Sequence, residues 1–121
     1  MRVLVCGDRN WTDCERVRIE LLNLWNQHKE GLIVIEGEAR GADTCAAIAA
    51  RKEGFNLERY PAEWNKYGKA AGHIRNQQML DEGTPNLVLA FHDNLEQSKG
   101  TKHMVGIARK AGIEVRVITH G

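Results

Sequence analysis

The chain has 121 residues, 42% hydrophobic and 27% charged, with 17 basic and 16 acidic side chains and a formal net charge of +1. This length suits one domain over residues 1–121, and near-neutral charge is not typical of a dedicated nucleic-acid-binding protein. No apolar run approaches the roughly 20 residues that a membrane helix needs, so no membrane partner is expected.

The cysteines and histidines argue against disulfides and metals. Cys6, Cys14 and Cys45 are odd in number and lack CxxC spacing. This argues against a disulfide framework and against a zinc site, so we expect a protein of the reducing cytoplasm. The histidines show no ligand spacing either, and no metal or cofactor is predicted.

Strands and helices alternate along the chain. Apolar runs and turn residues predict strands over Arg2–Cys6, Leu32–Glu36, Phe55–Tyr60, Asn86–Phe91 and Glu114–Ile118. Helical spacing and capping residues predict one helix opening at Thr12 and others over Asp43–Glu53, Lys69–Glu82 and Thr101–Ala111. Asp43 is the expected N-cap of the second helix.

The strand compositions predict the topology of an α/β sandwich with three layers. The first, second and fourth strands are almost purely apolar, as central parallel strands are, whereas the third and fifth mix apolar and charged residues, as edge strands do. Right-handed crossovers then favour a five-stranded parallel sheet in the order 3-2-1-4-5. A ligand would bind at the carboxyl ends of strands one and four, where the chain direction reverses.

Three loops are expected to meet at that point. The glycine-rich turn before the second helix is a natural position for phosphate, because helix N-termini present N–H groups and partial positive charge. Arg40 would add a full charge there. Neither a Walker motif nor a GxGxxG follows a strand. The candidate ligand-binding residues of the loops are Gly7, Asp8, Arg9, Gly37, Ala39, Arg40, Gly41, Asp43, Ser98, Lys99, Gly100 and Thr101.

Several of these side chains have two interpretations. Asp43 would repel a phosphate, so any ligand contact would be to ribose hydroxyls. Glu36 is either a catalytic base or the partner of an arginine, with Arg9, Arg40 and Arg75 as the candidates. Asp8 is the second candidate catalytic carboxylate. Trp11 and Trp64 could each stack on a base or pack a loop.

Four motifs carry a family resemblance. Gly7-Asp8-Arg9, the GEARGAD stretch 37–43, the GHIRNQQM stretch 72–79 and Lys99-Gly100-Thr101 resemble the YspA-like, cpYpsA-related branch of the SLOG superfamily. That superfamily includes LOG phosphoribohydrolases and the DNA-processing protein A family. The resemblance implies a Rossmann-like fold, a pocket for a nucleotide or ADP-ribose-like ligand, and pocket-facing Arg75 and Asn76.

The resemblance also separates the possible activities. LOG enzymes carry PGGxGTxxE, and Met104 stands where the catalytic glutamate would be. We therefore expect a small nucleotide-binding protein, with N-glycosidic hydrolysis open only if Glu36, Asp8 or Asp43 replaces that glutamate. The alternative is a module that binds single-stranded nucleic acid. Family members often associate, so a homo-oligomer is expected, with the helix over residues 69–82 as a candidate interface.

Overall fold

Five parallel strands form the centre of the molecule. The structure, a computed structural model, describes residues 1–120. The strands are β1 (Arg2–Gly7), β2 (Ile33–Glu36), β3 (Asn56–Arg59), β4 (Leu87–Phe91) and β5 (Glu114–Ile118). They form one sheet in the order β3-β2-β1-β4-β5, and each neighbouring pair is parallel. The predicted fold class and strand order are confirmed.

Helices cover both faces of this sheet. They are α1 (Cys14–Gln27), α2 (Ala42–Glu53), α3 (Trp64–Tyr67), α4 (Ala71–Gly83) and α5 (Gly100–Lys110). Side chains alternate across a strand, so β1 sends Val3 and Val5 to the α1–α2 side and Leu4 and Cys6 to the α4–α5 side. Both faces of β1 are therefore buried, which explains its apolar sequence.

Some helix boundaries differ from the predicted ones. Asp13, not Thr12, caps α1, because its side chain accepts a hydrogen bond from the Arg16 N–H at 3.1 Å. Gly41 occupies the N-cap position of α2, and Asp43 lies inside the first turn. The segment before α4 is not one continuous helix, since α3 and a 3₁₀ turn over Gly68–Ala70 precede it.

The sequence argued against a disulfide framework, but the structure contains a disulfide. Cys14 on α1 and Cys45 on α2 form a disulfide, with their Cα atoms 4.8 Å apart. The two helices pack side by side on one face of the sheet and bring together residues 31 apart in sequence, which no spacing motif records. Cys6 is free and buried. The cysteines therefore no longer support a reducing compartment. Within residues 1–120, no helix is both long and apolar enough to cross a membrane.

Candidate functional site

A cavity of about 940 Å³ opens at the carboxyl ends of β1 and β4. Its wall comes from the loops after those strands, from α4 and from the start of α5, with Cys6 and Met104 among its buried lining residues. Basic side chains outnumber acidic ones on this wall. The lining includes Arg9, Lys69, Arg75, Lys99 and Lys102, against Asp8 and Asp43. The excess positive charge suits an anionic ligand.

Most of the residues predicted from the sequence line this cavity. They are Gly7, Asp8, Arg9, Ala39, Asp43, Arg75, Asn76, Ser98, Lys99, Gly100 and Thr101. Four others belong to the same loops but lie outside the lining, namely Glu36, Gly37, Arg40 and Gly41. The predicted cluster of loops therefore forms, whereas the turn between β2 and α2 contributes less of its surface than expected.

That turn satisfies its own N–H groups. The backbone N–H groups of Gly37 and Ala39 donate to Oδ2 of Asp43, at 2.9 and 3.3 Å. The Ala42 N–H, at the start of α2, donates to the Asp8 carbonyl at 3.2 Å. The sequence analysis expected these N–H groups to bind a phosphate. In the structure they bind a carboxylate and a carbonyl of the protein itself.

The loop after β1 packs closely against the turn between β2 and α2, and Arg40 lies on the exposed side of that turn. Gly41 has a φ of +74°, and a Cβ there would collide with the Asp8 carbonyl and the Arg9 backbone. The loop after β1 therefore lies directly against the start of α2. Arg40, one residue earlier, is exposed, and its side chain has no hydrogen-bond or ion-pair partner within residues 1–120.

Glu36 is a buried structural carboxylate. Its side chain is fully buried, Oε1 accepts from the Arg59 guanidinium, and Oε2 accepts from the Glu38 N–H at 2.8 Å. Its partner is therefore Arg59, and none of the three arginines predicted for it. Arg59 lies opposite Glu36 in the β2–β3 register. Opposite charges at facing positions of neighbouring strands were the signal that could have identified the pair.

Two adjacent residues of α4 connect the loops on either side of the cavity. The Arg75 guanidinium donates to the Gly37 carbonyl, and Asn76 Nδ2 donates to the Gly100 carbonyl at 3.2 Å. Arg75 Nε also donates to Asn76 Oδ1 at 3.1 Å. Burial lowers the pKa of Arg75, and nearby Asp43 opposes that shift, so the guanidinium stays charged at neutral pH. Both residues hold the site together as well as lining it.

Asp43 combines burial with an unused acceptor. It is 5% exposed, and burial, assisted by the charge of Glu36, raises its pKa to about 6 despite the N–H groups bound to Oδ2. Its other oxygen, Oδ1, has no hydrogen-bond partner among the described residues. No side-chain polar atom of that part of the chain is fully buried without a partner. Oδ1 therefore keeps some accessible surface, and Asp43 lines the cavity.

The start of α5 offers N–H groups that the protein does not use. Ser98 Oγ accepts from the Thr101 N–H at 3.0 Å. Across residues 1–120, neither the Gly100 N–H nor the Lys102 N–H donates a hydrogen bond to the protein. The first turn of α5 carries no acidic residue, and Lys99 stands beside it. The positive end of the helix dipole is therefore available to an anion in the cavity.

Two histidines on the cavity wall were missed by sequence reasoning. The rings of His73 and His103 stack with centroids 3.8 Å apart. Asn76 Nδ2 lies 3.1 Å from His103 Nδ1, which assigns the proton to Nε2 because an amide nitrogen only donates. Burial, and then His73, lowers the pKa of His103. On a helix, residues three and four apart share one face. The spacing of Lys69, His73 and Asn76 could therefore have indicated that these side chains lie on the same cavity wall.

The two tryptophans have different surroundings. Trp64 is 49% exposed, lines the cavity, and has the Arg9 guanidinium 5.9 Å from its ring centroid. Trp11 is 3% exposed and packs edge-on against Phe91 and face-on against His120. Trp11 therefore packs the core, whereas Trp64 presents an aromatic surface to the cavity.

Comparison with known proteins identifies the family of this chain. A family model described as YspA, cpYpsA-related SLOG family matches residues 1–67. The gene 61 protein of Mycobacterium phage D29 is 42% identical over 119 residues, which cover 94% of this chain and 93% of that protein. The chain belongs to the YspA, cpYpsA-related SLOG family.

A solved structure gives the same fold for this SLOG chain. The X-ray structure of DNA processing protein A from Streptococcus pneumoniae superposes with a TM-score of 0.77 at 19% identity. The match covers 99% of this chain and 50% of the other, so the SLOG chain spans about half the length of that protein. At this identity the likeness establishes the fold alone.

Proposed function

We propose that the SLOG chain binds a nucleotide, a nucleoside phosphate or an ADP-ribose-like molecule in the cavity above β1 and β4. The supporting observation is the start of α5, where unused N–H groups and Lys99 lie at a cavity whose charged lining residues are mainly basic. A phosphate placed there would gain charge-assisted hydrogen bonds. Trp64 and Arg9 at the same cavity would accept the flat face of a base.

The proposed activity is binding without LOG-type turnover. Met104 stands at the position of the LOG glutamate and is fully buried. Glu36 is paired with Arg59 outside the cavity, so the carboxylates on the cavity wall are Asp8 and Asp43. Because removing a positioned acid–base group typically costs about 10²–10⁴-fold in rate, we expect no release of base from nucleoside monophosphates at LOG-like rates.

A second candidate is binding of single-stranded nucleic acid. Trp64 and Tyr67 are both exposed, Lys66 lies 5.0 Å from the Tyr67 ring centroid, and Lys69 follows on the cavity wall. Aromatic surfaces interleaved with basic side chains suit unstacked bases. The structural neighbour named DNA processing protein A supports the same reading. We place this second because the net charge of the chain is only +1.

Calorimetry with two lysine variants tests the proposal. AMP, ADP and ADP-ribose are titrated into the native protein, into Lys99→Ala, and into Lys110→Ala as the matched control. Both lysines belong to the α5 region, but Lys110 lies at the opposite end, outside the cavity. We expect Lys99→Ala to weaken phosphate-ligand binding about 10-fold, or about 1.4 kcal/mol, and Lys110→Ala to change it little.

Two results would contradict it. One is no saturable binding of any of these ligands. The other is an equal loss in Lys99→Ala and Lys110→Ala, which would indicate a general charge effect. Fluorescence anisotropy with a labelled single-stranded oligonucleotide at 50–200 mM salt separates the second candidate, because phosphate contacts give a steep salt dependence.

A further inference from the structure

We infer that Asp43 hydrogen-bonds a ribose hydroxyl, so that the cavity takes ribonucleotides in preference to deoxyribonucleotides. The inference rests on the proposed nucleotide binding and names the part of the ligand that the buried carboxylate recognises.

The two oxygens of Asp43 have different environments. Oδ2 already accepts from the N–H groups of Gly37 and Ala39, which fixes the carboxylate in one orientation. Oδ1 has no partner in residues 1–120 and keeps some accessible surface, while Asp43 as a whole is only 5% exposed and lines the cavity. No ion pair within residues 1–120 joins the carboxylate to Arg75, although the charge of Arg75 acts to lower the pKa of Asp43. An oriented acceptor with little solvent access is therefore left for the ligand to satisfy.

Charge decides which group of a nucleotide can meet this acceptor. A phosphate is excluded at Oδ1, because two anions in a partly buried site repel each other. The phosphate has a suitable position elsewhere, at the N–H groups of Gly100 and Lys102. The remaining donors are the ribose hydroxyls and the exocyclic amino group of a base. Exposed Trp64 offers the base a stacking surface, which leaves the sugar between base and phosphate to reach Asp43.

A carboxylate in this setting discriminates strongly. A site built to bind a hydroxyl rejects the analogue that lacks it, because its own buried polar group then stays unpaired. The charge-assisted bond between a carboxylate and a hydroxyl is about twice as strong as a neutral one. We therefore expect a ribonucleotide to bind about 10-fold or more tightly than the matching deoxyribonucleotide.

The test is a cycle of three ligands and three proteins at pH 8, where Asp43 is ionised. AMP, 2′-deoxyAMP and 3′-deoxyAMP are titrated calorimetrically into native protein, Asp43→Asn and Asp81→Asn. An asparagine at 43 still offers one carbonyl oxygen to the two N–H groups and replaces the other acceptor by a donor. Asp81 is an exposed aspartate of α4 outside this cavity, so it controls for the same change of charge.

We expect the native protein and Asp81→Asn to prefer AMP over at least one deoxy analogue by about 10-fold, and Asp43→Asn to reduce that preference to about 3-fold or less. Equal affinity of native protein for all three ligands would overturn the inference while leaving nucleotide binding intact, whether or not the variant folds. A full preference retained in Asp43→Asn would also overturn it. Failure of all three ligands to bind would overturn the proposed function and this inference together.

Discussion

Reduction of the Cys14–Cys45 disulfide should lower the free energy of unfolding by about 3–4 kcal/mol at 25 °C. The bond closes a loop of 31 residues, and the loop-closure relation gives about 3 kcal/mol for 15 residues and about 4.7 for 100. Cys45 is buried and Cys14 half-buried, and the loop-closure model assigns the stabilisation to the unfolded chain rather than to native contacts. The loss therefore comes mainly from the greater freedom of the unfolded chain.

Urea unfolding with and without reductant measures this difference. The matched control is Cys14→Ala, which cannot form the bond and should respond little to reductant. The m value should rise on reduction, because an unlinked chain exposes more surface. Coincident unfolding curves for oxidised and reduced native protein would refute the reasoning. Detection of three free thiols in unreduced, unfolded protein would also refute it, because only the Cys6 thiol should then react.

Three further stability predictions concern the site loops. Arg59→Met leaves Glu36 buried without its partner and should destabilise the protein by about 3–5 kcal/mol in urea unfolding; no loss would contradict the pair. Asp43 has a pKa raised to about 6, so it favours folding below pH 4 and loses that contribution as pH rises through 6. The stability of native protein relative to Asp43→Asn should therefore fall by about 2.5 kcal/mol between pH 4 and pH 8, and a pH-independent difference would refute the shift. Gly41→Ala should cost about 2 kcal/mol or more in thermal unfolding, clearly more than Gly112→Ala, which has a similar φ of +80° but open space around it.

The strand order could be predicted because it depends on burial, which sequence records well. The central strands need apolar residues on both faces, as Val3 and Leu4 of β1 show, whereas β5 at the edge tolerates Glu114 and Arg116. Chain connectivity and crossover handedness then restricted the arrangement. The place where the loops meet followed from the same argument.

The pairing inside the loops could not be predicted, because it depends on contacts between distant residues. Glycine and arginine near a helix start indicated a phosphate, but Asp43 already binds the N–H groups of Gly37 and Ala39. Glu36 pairs with Arg59, 23 residues away, because the register of β2 and β3 places the two residues side by side. Cys14 forms a disulfide with Cys45 because α1 and α2 pack together. Local pattern therefore predicted which loops meet at this cavity but did not assign the individual hydrogen bonds.

The carboxylate of Asp43 also has a consequence for the energetics of recognition. Because the protein supplies its own anion to the turn between β2 and α2, that turn needs no ligand to become ordered. The conformational entropy of the turn is lost during folding, so binding would retain more of its interaction energy. The amide hydrogens of Gly37 and Ala39 should exchange slowly with solvent before any ligand is added. A ligand would then meet a preorganised wall and bind with little movement of the backbone.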